Sequence, residues 1–188
     1  MRRSPRDRFR LEGAVPASDG RPRLRCPPLR PPLELVLVEP EIPPNTGNVA
    51  RLCAATGSRL HLVGSLGFRI DAHAVRRAGL DYWSAVEVEI HDDFNAFRQK
   101  RPEAPLFLFS ARAERSYLAA SWVPGAALVF GRESTGLPEE LLARFPDRIW
   151  GIPTCGPVRS LNLASAAAVV LYEALRALGT LDPAAPAP

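Results

Sequence analysis

Cysteine is scarce in this chain of 188 residues, and the cysteines it has form no pattern. They are odd in number and far apart, so we predict neither a disulfide framework nor a zinc site, and we expect reduced thiols. The histidines also lack metal-ligand spacing. These residues are Cys26, Cys53, Cys155, His61, His73 and His91. The sequence therefore predicts no metal.

Long apolar runs are also missing. No stretch approaches the roughly 20 residues that cross a membrane, and the N-terminus has no apolar signal-peptide core. We therefore expect a cytoplasmic protein.

Three glycine motifs are absent as well. The chain has no GxGxxG and no GxxxxGK[ST], which argues against those dinucleotide and phosphate loops. It has no GxSxG, so hydrolysis by a serine triad on a nucleophile elbow has little support.

The positive charge is confined to the N-terminus. Nine arginines against three acidic residues give residues 1–32 a net charge of +6, whereas fifteen basic and seventeen acidic residues give the remainder −2. Residues 1–32 also hold seven prolines and little apolar periodicity, so we predict a disordered basic arm. Two interpretations remain open: an electrostatic contact to nucleic acid, or an extension without function, including a mis-assigned start.

The remaining length suits one well-cored domain. We predict strands at 33–38, 59–64, 84–90, 105–110, 126–131 and from Ile149, with helices at 46–55, 92–100, 138–145 and 162–178. A loop and short helix are predicted within 67–83. Pro138 suits a first helical turn, and Asn162 and Gly179 suit a helix start and stop. This alternation predicts an α/β domain at 33–180, with a mainly parallel sheet covered by helices on both faces. Residues 181–188 are a predicted disordered tail.

Three polar, glycine-containing clusters each follow a predicted strand. They are Asn45–Arg51, Gly131–Gly136 and Ile152–Asn162. Ligands of parallel sheets bind at the carboxyl ends of the strands, so we expect these clusters to meet. Taken singly, each is better explained by turn chemistry than by function.

Four motifs in order carry a resemblance to a known family. They are EIPPNTGNVARLCAATG, RRAGLDYW, LVFGRESTGLP and IPTCGPVRSLNLASAAAVVLYEA. Together they resemble the signatures of the SPOUT superfamily of RNA methyltransferases, and within it the TrmL (YibK-like) tRNA ribose methyltransferases. The resemblance covers roughly residues 33–180.

This resemblance implies a deep C-terminal trefoil knot that binds S-adenosylmethionine, with no metal. It implies methylation of the ribose 2′-hydroxyl of the tRNA wobble nucleotide (position 34), cytidine or a modified uridine, by a homodimer with a shared active site. Two alternatives stay open: 2′-O-methylation of another RNA, such as rRNA or a different tRNA position, and a non-catalytic RNA-binding module.

The resemblance also assigns site residues. The cofactor-binding residues would be Phe109, Gly131, Ile152, Ser160 and Leu161. The catalytic residues would be Arg51, Asn45, Glu133, Ser160 and Asn162. We expect Arg51 to act by orienting the hydroxyl and stabilising charge, because a guanidinium is a poor base.

Several of these residues also have structural interpretations. Glu133 could cap the following turn, and Asn162 could serve as both helix cap and site residue. Four arginines could contact RNA backbone or simply be solvated: Arg76, Arg77, Arg112 and Arg115. Tyr82 and Trp83 could stack on a base or be buried. The alanine-rich face of helix 162–178 is a predicted packing surface for a partner helix.

Overall fold

The computed structural model of the chain describes residues 26–68 and 85–181. Within them six strands form one sheet: β1 (Glu34–Val38), β2 (Arg59–Val63), β3 (Val88–His91), β4 (Leu106–Phe109), β5 (Ala127–Phe130) and β6 (Ile149–Trp150). Their order is β3-β2-β1-β5-β4-β6. Every pairing between these strands is parallel, so the predicted sheet is confirmed.

The described residues form four α-helices, of which three connect strands and the last follows β6. They are α1 (Pro43–Thr56), α2 (Phe94–Lys100), α3 (Glu139–Arg144) and α4 (Leu163–Ala177). Short 3₁₀ turns lie at Tyr117–Ala119 and Pro146–Arg148. Pro138, which we predicted within the first turn of α3, lies at its N-cap instead.

Helix α1 begins three residues earlier than the sequence predicts. Pro43 and Pro44 occupy its first positions, where a missing amide hydrogen costs no helical hydrogen bond. The helix ends next to Gly57, whose φ of 70° is left-handed. Since β1 and β2 are adjacent and parallel, this segment is a strand-helix-strand crossover.

Both faces of the sheet are buried. Alternate strand residues such as Leu35 and Leu37 point into a core that includes Val49 of α1 and Leu171 of α4. The other set packs in a second core with residues of α2 and α3, including Phe97 and Leu141. Helices on both faces explain why the strands read as nearly continuous apolar runs.

Helix α4 reaches the first core from the far edge of the sheet. Strand β6 pairs with β4 at that edge, and the chain then returns to α4, which packs on α1 and β5. On the way Gly151 donates its amide to Arg115 O (2.8 Å) and accepts from Tyr117 N (3.0 Å). This path is compatible with the predicted knot, which stays a prediction.

The segment before β1 contacts the body. The carbonyl of Pro31 accepts a hydrogen bond from Gly125 N at 3.1 Å, and Leu29 packs against the first core. The disordered arm that we predicted for residues 1–32 therefore does not extend through this contact. Residues 1–25 lie outside the described residues, as do 182–188 and the whole RRAGLDYW motif, including Arg76, Arg77, Tyr82 and Trp83. Within the described ranges, no helix is long and apolar enough to cross a membrane.

A buried polar cluster lies beneath α2. His61 Nδ1 is 3.0 Å from His91 Nε2, and His61 Nε2 is 3.6 Å from a carboxylate oxygen of Glu34. Glu34 accepts from Arg101 Nε at 3.0 Å, and Arg101 also pairs with Glu89. His61, Glu89 and His91 could in principle hold a metal. We assign none, because Arg101 already engages Glu89 and brings positive charge.

Burial lowers the pKa of His61 to about 2, and the neighbouring positive groups act in the same direction. These groups are His91, Arg101, Arg59 and Lys100. The unfolded chain, with an ordinary histidine pKa near 6.5, binds more protons between these two values. His61 therefore contributes a loss of stability as the pH falls below about 6.5.

We predict that His61→Asn weakens this acid sensitivity. From pH 7.5 to 5.0, His61 should account for a loss of about 2 kcal/mol in the free energy of unfolding. Urea unfolding of wild type and variant at both pH values measures it. An equal fall in both proteins would contradict the prediction, whatever the variant's stability at pH 7.5.

Candidate ligand site at the carboxyl edge of the sheet

The carboxyl edge of the sheet brings together three sequence-distant loops. Residues 39–45 follow β1, residues 131–136 follow β5, and residues 151–162 follow β6. We call residues 39–41 the acidic turn and residues 131–136 the glycine loop. All strands are parallel, so their loops leave the sheet at the same edge.

Glu133 of the glycine loop joins it to the start of α1. Its carboxylate accepts hydrogen bonds from the amides of Glu41 (2.9 Å) and Ile42 (3.3 Å), and from Asn45 Nδ2 (2.9 Å). Helix α1 has no side-chain cap from its own N-cap residue, Ile42, so Glu133 supplies the negative charge that a helix N-terminus favours. The alternative that Glu133 caps its own following turn is wrong, because these partners are about 90 residues away.

Asn45 and Asn162 extend this link to the third loop. Asn162 Nδ2 donates to Asn45 Oδ1 at 2.9 Å, while Asn162 Oδ1 accepts from the amides of Ala164 (2.9 Å) and Ser165 (3.3 Å). Asn162 is therefore the N-cap of α4, as predicted, and a bridge to α1. The structure brings together three of the five predicted catalytic residues, Asn45, Glu133 and Asn162; their catalytic roles stay predictions.

Gly131 lies where the glycine loop doubles back on itself. Arg132 N donates to Gly136 O at 3.1 Å, and Gly136 N donates to Arg132 O at 2.9 Å. A Cβ atom on Gly131 would lie 2.1 Å from the carbonyl carbon of Gly136 and 2.2 Å from Leu137 N. No side chain fits there, so Gly131 offers a ligand only backbone groups.

The other predicted cofactor residues lie at the end of β4 and in the loop after β6. Phe109, at the end of β4, stacks on Phe130 with ring centroids 4.8 Å apart. Ile152 is half-buried against the first core. Ser160 and Leu161 are exposed at the end of the last loop, whose residues 153–162 all face solvent. Among the described residues, the hydrogen bonds of Asn45, Glu133 and Asn162 do not extend to Ser160.

Arg51 lies on the other side of Asn162. It lines a groove of about 410 Å³ between α1 and α4, together with Asn48, Asn162 and Ser165. Within one chain, therefore, Arg51 and Asn162 share a cavity.

The sequence analysis missed four residues of the site: Glu39, Glu41, Arg132 and Ser134. Arg132 donates to Glu39 Oε2 from Nε (3.0 Å) and Nη2 (2.6 Å). Ser134 donates to Glu41 from its amide (3.0 Å) and its hydroxyl (2.9 Å). These bonds from Ser134 lower the pKa of the Glu41 carboxyl. Arg132 and Ser134 lie in the predicted cluster Gly131–Gly136, and Glu39 and Glu41 flank Pro40, but one sequence cannot show that these residues pair with each other.

Taken together, these features define a class of α/β proteins that hold a ligand in loops at the carboxyl edge of a parallel sheet. Side-chain hydrogen bonds set the positions of the loops, and backbone groups are left to meet the ligand.

Comparison with known proteins gives the family. The model of the SpoU rRNA Methylase family matches residues 32–172. A tRNA (cytidine(34)-2′-O)-methyltransferase from Burkholderia ambifaria is 47% identical over 148 residues, which cover 77% of this chain and 95% of that protein. The chain therefore belongs to the SpoU rRNA Methylase family, and the predicted resemblance is confirmed.

Two solved structures are also similar to this chain. One from work on 2-OH methylation of C/U34 on tRNA has a TM-score of 0.74 and 53% identity, covering 78% of this chain and 96% of that one. An AdoMet-bound rRNA methyltransferase from Sinorhizobium meliloti has a TM-score of 0.69 and 27% identity, covering 82% of this chain and 62% of that one.

We predict that Gly131→Ala lowers the free energy of unfolding by about 2–3 kcal/mol, because the added methyl group would overlap the backbone of the Gly136–Leu137 peptide. Gly156→Ala is the matched control, since a Cβ there meets nothing within 4 Å, and its change should stay within about 0.5 kcal/mol. Chemical unfolding measures both. Equal stability of the two variants would show that the glycine loop is not closed as described.

Proposed function

We propose that this chain transfers a methyl group from S-adenosylmethionine to the ribose 2′-hydroxyl of nucleotide 34 of tRNA, either cytidine or a modified uridine. One observation carries the proposal: the hydrogen-bonded chain Glu133–Asn45–Asn162 joins three loops in a protein whose relatives perform this reaction. We place this activity in the cytoplasm, where we expected the protein.

The residues at the carboxyl edge fit the methyl donor. Apolar side chains stand at the surface of the last loop: Leu161 is 38% and Val158 57% exposed. Ile152, at the start of the same loop, is half-buried, and Gly131 offers only backbone groups. Apolar contact with backbone donors and acceptors suits a neutral purine and a ribose. We propose that Phe109, Gly131, Ile152, Ser160 and Leu161 hold the donor.

S-adenosylmethionine, when bound, supplies a methyl group activated by a positively charged sulfur. The protein must then place the ribose oxygen in line with that group, so positioning supplies much of the rate. We assign this task to the loops that Asn45, Glu133 and Asn162 fix, with Ser160 at the edge of the same site.

The attacking hydroxyl loses its proton, so negative charge develops on the ribose oxygen. We assign the stabilisation of this charge to Arg51. A guanidinium donates hydrogen bonds in a planar fork and accepts none. Arg51 therefore orients the ribose and stabilises the developing negative charge, while the proton leaves to a substrate phosphate or to water.

We further propose that the protein acts as a homodimer that pairs through α1 and α4. Ser165, Val169 and Tyr172 form an exposed stripe on α4 at helical spacing, with Val169 39% and Tyr172 46% exposed. The stripe borders the groove that contains Arg51, so a partner packed there would meet this arginine.

Methylation of defined tRNA transcripts tests the proposed function. With labelled methyl donor, we expect one 2′-O-methyl group at nucleotide 34, located by nuclease digestion and mass spectrometry. A transcript with a 2′-deoxynucleotide at position 34 is the matched control and should accept none. Methyl transfer to the deoxy transcript, or to another position or RNA, would contradict the proposal.

In the same assay Arg51→Lys keeps the charge and loses the planar fork. We expect turnover to fall about 10²-fold or more with binding of the methyl donor unchanged. Near-normal turnover would refute orientation by the fork.

For the dimer, we predict that Val169→Glu lowers the molar mass in light scattering from two chains to one, because burying an unpaired charge at an interface is costly. Val123→Glu is the matched control: it is equally exposed at 39% but lies before β5. An unchanged mass for Val169→Glu, or dissociation by both variants, would refute this interface.

A further inference from the structure

The glycine loop is attached to the chain after β1 by three consecutive side chains. Arg132 binds the carboxylate of Glu39, Glu133 binds the amides of Glu41 and Ile42, and Ser134 binds the carboxylate of Glu41. Only Glu133 belongs to the site that the sequence predicts. The flanking pairs repeat the same attachment on either side of it.

Glu39 keeps an unfavourable backbone conformation at this place. Its φ is 51°, and among the described residues it is the one residue other than glycine with a positive φ. An L residue is strained in that region, and such strain persists only where the surroundings impose it, often at a functional site. The left-handed turn accompanies a carboxylate held by Arg132 from both Nε and Nη2.

Two glycines that follow β2 lie close against the acidic turn. A Cβ on Gly64 would lie 2.8 Å from Glu39 Cγ, and a Cβ on Gly67 would lie 2.9 Å from Glu41 Cα. Gly67 N also donates to Pro40 O at 3.0 Å. The acidic turn is therefore enclosed between the 64–67 loop and the glycine loop, and has little freedom to shift.

We propose that Glu39 and Glu41 are positioning residues for methyl transfer. They fix the glycine loop through Arg132 and Ser134, and the loop in turn sets the positions of Gly131 and Glu133. This inference rests on the proposed function, since it names residues that prepare the methyl-donor site without touching the donor.

If the pair of Arg132 and Glu39 only stabilised the fold, its loss would affect stability and donor binding to a different extent than we propose. The Arg132 and Glu39 side chains are 40% and 25% exposed, and ion pairs near the surface add little to stability. Small displacements of a ligand-binding loop, in contrast, change affinity and rate strongly. Loss of the pair should therefore weaken donor binding far more than it destabilises the fold.

The test measures binding of S-adenosylmethionine by calorimetry and unfolding temperature for the same variants of the full chain. Glu39→Gln and Glu41→Gln each remove a charge and keep the side-chain shape. We expect each to weaken donor affinity about tenfold, the size of one charge-assisted hydrogen bond. At saturating donor, turnover of Glu39→Gln should recover to within about threefold of wild type, which places the loss in KM.

Glu87→Gln is the matched control. Glu87 accepts from Arg59 Nε at 2.9 Å in another partly exposed Arg–Glu pair, at the amino edge of the sheet. It should leave donor affinity unchanged, and its effect on unfolding temperature sets the scale for losing such a pair. The double variant Glu39→Arg with Arg132→Glu restores a pair of opposite charges and should regain most of the lost affinity.

The outcomes separate the two proposals. If wild type does not bind S-adenosylmethionine, the proposed function fails. If wild type binds and both glutamate variants bind equally well, the positioning role is wrong. A loss of affinity in step with a loss of unfolding temperature, without recovery in the charge-swapped variant, would also overturn it.

Discussion

The site depends on one carboxylate. Glu133 accepts hydrogen bonds from two backbone amides and from the side-chain amide of Asn45 at the start of α1. The side chain of Asn45 accepts in turn from Asn162, which caps α4. Helices α1 and α4 pack on each other and form one wall of the core, so the same bonds that place the loops also set the starts of both helices. The geometry of the proposed site and the packing of the two helices are thus linked through few atoms.

Most of the fold was predictable from local patterns. Continuous apolar runs gave the strands, and Asn162 and Gly57 behaved as their chemistry predicts at helix ends. The exceptions have local causes. Two prolines extend α1 toward the N-terminus, and β6 is only two residues long, since Gly151 after it bridges to Ser116 instead of to β4. The segment around Pro31 looked disordered by composition but contacts Gly125, a partner that no local pattern reveals.

The site was predictable only in part. Three loops were expected at one edge, and Asn45, Glu133 and Asn162 do meet there. The acidic turn was missed, because Glu39 pairs with Arg132 across 93 residues and its left-handed backbone is untypical of glutamate. A single sequence records neither long-range pairing nor an unusual φ.

The span of these contacts has a consequence for synthesis. The two side-chain amide bonds of the site join residues 88 and 117 positions apart, and closing such long loops comes late in folding. A polypeptide leaves the ribosome from its N-terminus, so β1 and α1 emerge long before Asn162. Until then no intact site exists, and unfinished chains cannot sequester the cell's methyl donor.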